Sequence, residues 1–255
     1  MDHLPPIKKW IEDIENLLKN TQKRKVFLYI FLIKGADFAD IARYVRISQK
    51  NLTKHIKDFE FIRLIKSEVS PKDRRKKIYE VTPFGRDFIS YDIRSIGMYL
   101  DLAKAYLNEM YSEEGEDVER RVNEVIGRYI VSHSNEPSMN RGPLSEAVGL
   151  FLYFLRYSRR INPQDLKSCL FFNSEESKTV LTEENKAVQR LLDAAICSKK
   201  GCSVCNLILD VLPSQPVYGP VVLKLKKMDP EELMELKERH KEEYRLSKYW
   251  DLNQK

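Results

Sequence analysis

The sequence predicts a mainly α-helical protein with one small β-hairpin: a compact N-terminal domain, a long linking helix and a helical C-terminal domain. Three observations predict it. Apolar residues recur at helical spacing along most of the 255 residues. One short stretch, IKSEVSPKDRRKKIYEV at 65–81, reads instead as two strands about a turn. The positive charge is crowded into one end: residues 1–92 hold 20 Lys or Arg against 13 Asp or Glu, a net +7, whereas the remainder holds 24 against 25. The chain is long enough for two ordinary domains. The expected division is 1–92, a linking and dimerisation segment at 93–136, and a C-terminal domain at 137–255.

The elements follow in order. PPIKKWIEDIENLLKN opens with prolines suited to a first helical turn, and Ile7, Trp10, Ile11, Ile14, Leu17 and Leu18 continue at helical spacing. A second helix is expected over about 23–34, with Gly35 as its stop. Phe38, Ile41, Ala42 and Val45 form one face of a third. A turn at Arg46 and Ile47 then leads to Ser48, a residue type suited to an N-cap. Leu52, Ile56 and Phe59 form the buried face of the next helix. Two short amphipathic helices about a tight turn fit a helix-turn-helix.

The outward face of its second helix, about 48–59, carries Ser48, Gln49, Lys50, Asn51, Thr53, Lys54 and Lys57. Gln and Lys near the start of such a helix can reach base edges, and the later lysines suit phosphates. A merely solvated face would look similar, but two features argue against that. The hairpin that follows carries Lys72, Arg74, Arg75, Lys76 and Lys77 against the single acid Asp73 at about 70–77. A basic hairpin in this place is a wing that can lay arginines along a phosphate backbone or in a minor groove. The second feature is the order itself: helix, helix-turn-helix, basic hairpin, helix.

Here a resemblance becomes specific. Residues 38–88 resemble the winged-helix domain of MarR-type transcription regulators, with SQKNLTKHIKDFE similar to that family's recognition helix, DRR at 73–75 to its wing signature, and VTPFGRDFI to the segment entering its long dimerisation helix. The resemblance covers about a fifth of the chain. It implies a dimer that binds a pseudo-palindrome in double-stranded DNA. The chain departs from the family at Arg63, where a glycine usually precedes the strand. A left-handed backbone there would cost a non-glycine residue roughly 1 kcal/mol.

From Tyr91 the residues Ile93, Ile96, Leu100, Ala103, Leu107 and Met110 alternate by three and four, a coiled-coil-like seam over nearly three heptads. Such a seam serves either the core of its own subunit or pairing with a twin. Position after the wing favours the second, so a homodimer through about 93–110 is expected. SEEGED at 112–117 reads as a break, and the turn-rich HSNEPSMNRGP at 133–143 as a domain boundary. Further helices are expected after it. SEAVGLFLYFLRYSRR should be central to a core. Other helices begin at Asn162-Pro163, at Thr182 and at Asp229-Pro230, the first of them carrying Cys169 and the second reaching Cys197.

Three of the chain's four cysteines fall in CSKKGCSVC at 197–205, spaced C-x4-C-x2-C. C-x2-C is a chelating unit because two thiolates two residues apart can converge on one ion. The loop also resembles that of plant-type ferredoxin clusters, which need a further cysteine downstream. None follows Cys205, so Cys169 would have to fold back to complete the set with Cys197, Cys202 and Cys205. An iron–sulfur cluster, a zinc ion, a reversible disulfide and inert packing all stand as readings, the metal-binding ones first.

No apolar run reaches membrane-spanning length, and the N-terminus has no apolar signal core, so a cytoplasmic protein without membrane contact is expected. There is no GxxxxGK[ST], GxGxxG, HExxH or GxSxG, and His3, His55, His133 and His240 are scattered, so nothing specific points to an enzyme. The expected function is a DNA-binding transcription regulator with a redox- or metal-responsive cysteine cluster. The rival is a winged-helix component of the transcription or replication machinery that acts as an adaptor and carries a metal or iron–sulfur site.

Overall fold

The computed structural model describes residues 14, 16–71, 73–111, 118–133, 141–173 and 183–252. Most of the first predicted helix, the SEEGED break and most of the 133–143 boundary lie outside these residues. The described part forms two compact units, one of residues 1–90 with 215–224, the other of residues 91–214 with 225–255.

In the first unit α1 (Thr21–Leu32) starts at Asn20, whose side-chain oxygen accepts the backbone N–H groups of Gln22 and Lys23 at 3.0 and 3.1 Å. Val26 to Leu32 are buried without a gap, so α1 is the core helix of the unit. α2 (Phe38–Val45) is capped by Asp37, which accepts the N–H of Asp40 at 2.8 Å. It ends at Arg46 in the left-handed region, φ 55°. α3 (Gln49–Phe61) buries Leu52, Ile56 and Phe59, and the Phe59 ring lies 5.4 Å from that of Phe27 on α1. A three-stranded antiparallel sheet completes the unit. The hairpin strands β2 (Ile65–Val69) and β3 (Lys77–Val81) pair from Ile65 opposite Val81 to Val69 opposite Lys77. A third strand, β1 (Ala36–Asp37), pairs with β3, giving the order β1-β3-β2. Two residues, the second of them the N-cap of α2, carry no alternating pattern, so β1 was not legible in sequence.

Arg63 adopts φ 60°, the left-handed backbone that its departure from glycine raised. The following turn is tied by the Thr82 hydroxyl, which donates to the Arg63 carbonyl at 2.7 Å and accepts the Gly85 N–H at 3.0 Å. This opens α4 (Pro83–Tyr111). A Cβ on Gly85 would stand 2.2 Å from the Leu64 carbonyl oxygen, so only glycine lets the helix start this close to the strand. Residues 215–224 also fold with this unit: Lys224 reaches the Asp40 carboxylate at 3.1 Å and lies 5.2 Å above the Tyr44 ring.

The second unit contains most of α4, with α5 (Val118–His133), α6 (Arg141–Tyr157), α7 (Pro163–Ser168), α8 (Leu170–Asn173), α9 (Glu183–Ser198), α10 (Ser203–Val211), part of α11 (Gly219–Lys227), and α12 (Pro230–Leu252). The α4 seam packs inside it. Ile93, Ile96, Leu100, Ala103 and Leu107 are buried within the single chain. Tyr99 and Tyr106, also buried, meet Phe154 and Phe151 of α6 edge-on at 6.2 and 6.0 Å. The Tyr99 hydroxyl donates to the Ile208 carbonyl of α10 at 3.4 Å. On the α9 side Arg94 pairs with Glu184 at 3.1 Å, and Arg190 pairs with Asp101. The expectation that this seam faces a twin is therefore corrected. A three-four apolar repeat fits any apolar partner, and here its side chains are buried inside their own chain.

α6 buries Ala147, Leu150, Phe151 and Phe154 but exposes Leu152 and Tyr153, so it is core on one side rather than most sides. α12 begins with a reciprocal capping box: Glu232 donates its N–H to the Asp229 carboxylate at 2.8 Å and accepts the Asp229 N–H at 3.1 Å. Among the described residues no helix is long and apolar enough to cross a membrane.

Candidate nucleic-acid interface and four-cysteine centre

The first candidate surface lies on the first unit. Ser48 caps α3, its hydroxyl accepting the Asn51 N–H at 3.3 Å. An N-cap of this kind is worth about 1 kcal/mol and aims the free N–H groups of the first turn outward. Gln49, Lys50, Asn51, Thr53, Lys54 and Lys57 are all exposed, opposite the buried Leu52, Ile56 and Phe59. The Thr53 hydroxyl donates to the Gln49 carbonyl at 2.8 Å, which fixes its rotamer. His55 is half-buried, and burial, followed by the nearby Lys23 charge, pulls its pKa below the usual value. It packs as a neutral ring rather than offering a cation to phosphate.

The hairpin tip is held by backbone bonds from the Ser70 N–H to the Lys76 carbonyl at 2.8 Å and from the Lys76 N–H to the Asp73 carbonyl at 2.9 Å. Arg74, Arg75 and Lys76 are exposed on it. Asp73 accepts Arg75 Nε at 3.3 Å, yet the Arg75 side chain remains 92% exposed, so the pair leaves the guanidinium open to a further anion. Lys76 Nζ lies 3.2 Å from Asp37. Lys72 lies outside the described residues. Arg46, read from sequence only as part of a turn, is exposed immediately before the α3 cap. Its place beside a recognition helix was the signal that could have added it to the basic set.

The second candidate site lies wholly within the second unit. The Sγ atoms of Cys169, Cys197, Cys202 and Cys205 all lie within 4.8 Å of one another, and all four residues are buried. None is in a disulfide. Cys197 is in the last turn of α9, Cys202 caps α10, and Cys205 is in the first turn of α10. Gly201, at φ 83°, makes the tight turn between the two helices. A side chain there would be strained, which explains glycine inside the C-x4-C spacing.

Cys169 does fold back. It stands between α7 and α8, not inside a helix as the spacing had suggested, because α7 ends at Ser168. A small polar clasp holds that corner to the start of α10. The Asp165 carboxylate accepts the Ser203 N–H at 2.7 Å, and the Ser203 hydroxyl accepts the Asn162 N–H at 2.8 Å. Asn173 closes the other side, its amide donating to the Leu166 and Lys167 carbonyls at 2.7 and 3.1 Å. Sequence reading missed this clasp. Its only signal was that Asn162, Asp165 and the distant Ser203 are all cap-type residues.

The thiols polarise one another. Cys169 and Cys205 are 3.5 Å apart. A hydrogen bond from Cys205 leads the effects that lower the Cys169 pKa to about 6, and the backbone amides of Phe172 and Phe171 add to it. The same bond, with burial, pushes Cys205 up. Burial pushes Cys202 up to about 12. A cation bound among thiols this close would hold them as thiolates. Four convergent soft donors fit zinc or iron–sulfur ligation, and fit oxygen-seeking cations poorly.

Residues 21–110 match the HxlR-like helix-turn-helix family. The match takes in α1, the helix-turn-helix, the hairpin and nearly all of α4, and so extends beyond the 38–88 segment that resembles MarR-type regulators. What the two share is the winged helix-turn-helix, a DNA-binding domain. No curated protein matches the chain.

Proposed function

We propose that this protein is a DNA-binding transcription regulator that reads duplex DNA with α3 and grips it with the β2–β3 wing. Gln49, Lys50, Asn51 and Thr53 face base edges in the major groove, and Ser48 and the α3 N-terminus meet a phosphate. Lys54 and Lys57 neutralise neighbouring phosphates. Lys72, Arg74, Arg75 and Lys76 follow the backbone into the adjacent minor groove. The observation that carries this reading is the two-sided α3, apolar inside and polar or basic outside from Gln49 to Lys57, joined to a basic hairpin within a segment that matches a helix-turn-helix family.

Reading two half-sites one helical turn apart needs two copies of α3. The dimer this implies must use a surface other than the 93–110 seam, whose side chains are already packed in their own chain. The second part of the proposal is a thiolate metal centre, zinc or iron–sulfur, formed by Cys169, Cys197, Cys202 and Cys205, which makes the C-terminal unit dependent on metal.

Fluorescence anisotropy with duplex DNA over a salt series tests the first part. Arg74→Ala with Arg75→Ala should weaken binding about tenfold for every sequence and reduce the magnitude of the log–log salt slope by about 2, because two phosphate contacts no longer release counterions. An unchanged slope and affinity would remove the wing from the interface. If the unaltered protein bound no duplex at low salt, the winged helix would be left to an adaptor role.

A further inference from the structure

The geometry points to a single zinc ion held by all four cysteines, not an iron–sulfur cluster, as the resident of the C-terminal centre. This rests on the metal reading above and narrows it.

Distance decides between the two. With Zn–S bonds of about 2.3 Å, a tetrahedral set holds its sulfurs about 3.8 Å apart. Here one pair is at 3.5 Å and every pair is within 4.8 Å, so the four sulfurs already bracket one ion. In any cluster of two or four irons at least some thiolates bind different irons, with bridging sulfides between them. That separates the sulfurs by more than a single metal–ligand polyhedron. Cys197, Cys202, Cys205 and Cys169 would have to move apart together to admit one, against the clasp of Asp165, Ser203 and Asn162 that holds the α7–α8 corner to α10.

Burial and charge agree with one closed site. All four donors come from this chain, are buried, and leave no open coordination position, which is the pattern of a structural rather than a catalytic zinc. Four thiolates about a divalent ion carry a net charge of about −2. The amides of Phe171 and Phe172 face Cys169, and Cys202 and Cys205 sit at the positive end of nine-residue α10. The ion joins three chain positions that no continuous helix connects: the α7–α8 corner, the end of α9 and the start of α10. Its binding energy is then folding energy for that corner.

The test is metal analysis of the full chain purified without oxygen from medium supplied with both zinc and iron. One zinc per chain and a colourless protein are expected. After chelation and refilling with Co²⁺, intense d–d bands with sulfur-to-cobalt charge transfer should appear at one ion per chain. Cys169→Ser and Cys202→Ser, checked for fold by circular dichroism, should lose stoichiometric zinc. Asp165→Ala keeps all four thiols and should weaken zinc about tenfold by loosening the corner that carries Cys169. Two or four irons with matching acid-labile sulfide would overturn the single-ion inference and leave the metal reading standing. Protein with neither metal, whose reduced thiols take up no Co²⁺, would overturn both. Folded Cys169→Ser that keeps zinc at unaltered affinity would overturn the four-cysteine set.

Discussion

The basic surface of α3 and the wing, and the four-cysteine centre, are opposite solutions to the problem of placing a site. The first takes its side chains from 30 consecutive positions, 48–77, and leaves every described one of them exposed. The second takes four side chains from 37 positions, 169–205, and buries all of them. An exposed basic side chain is held in place by the element beneath it and contributes little to stability, so its loss is read in affinity. A buried thiol is held by its neighbours, so under the proposed metal reading its loss is read in metal content and stability together. Function and stability are separable at one end of this protein and joined at the other.

The largest effect expected on the joined side comes from the α4 seam. Leu100→Glu should destabilise the second unit by at least about 4 kcal/mol, because Leu100 is fully buried and a carboxylate there would lose its hydration. Denaturant unfolding monitored by circular dichroism checks it. A variant that kept its stability and changed only its sedimentation from dimer to monomer would restore the seam as an interface between copies. A smaller effect of the opposite sign belongs to the first unit. Arg63→Gly should stabilise it by up to about 1 kcal/mol by relieving the left-handed backbone at φ 60°. DNA affinity should hardly change, since relief of strain outside the interface adds no phosphate contact. A loss of stability would mean that the Arg63 side chain contributes more than its backbone costs.

The smallest expected effect concerns pH. His55 titrates below its ordinary value of 6.5, chiefly through burial and then the charge of Lys23, with Asp58 opposing and Lys54 assisting. Between the folded and unfolded values the unfolded chain binds the proton and the folded chain resists it, so stability rises with pH there. The contribution is present above about 6.5 and is lost as pH falls through the lower folded value. His55→Gln should flatten the decline in unfolding free energy between pH 7 and 5. An identical pH profile in the variant would assign the decline to other groups.

Much of the first unit was legible because its signals are local. Ser48 and Asn51 are three residues apart, Leu52, Ile56 and Phe59 repeat within two turns, and DRR sits at the tip of a hairpin whose strands pair in simple register. Even the left-handed Arg63 could be anticipated, because the demand arises where a helix gives way directly to a strand. The helix carrying Cys197 and the loop glycine were equally visible. What stayed hidden lies between distant segments or in elements too short to show a period. β1 is two residues long, and residues 215–224 join a unit whose other members end at residue 90.

By itself the sequence determined the helix-turn-helix, the basic wing, the long α4 and the C-x4-C-x2-C loop, since capping, periodicity and turn chemistry act over a few residues and need no distant partner. Only the tertiary structure decided which way the α4 seam faces and whether Cys169 reaches the other thiols. The apolar repeat of α4 is satisfied by any complementary surface; here it is buried within its own chain, while the neighbouring Tyr99 and Tyr106 meet Phe154 and Phe151. Cys169 is 28 positions before Cys197, a separation across which spacing carries no geometry. The clasp of Asp165, Ser203 and Asn162 closes that loop, and with it the ring of four sulfurs.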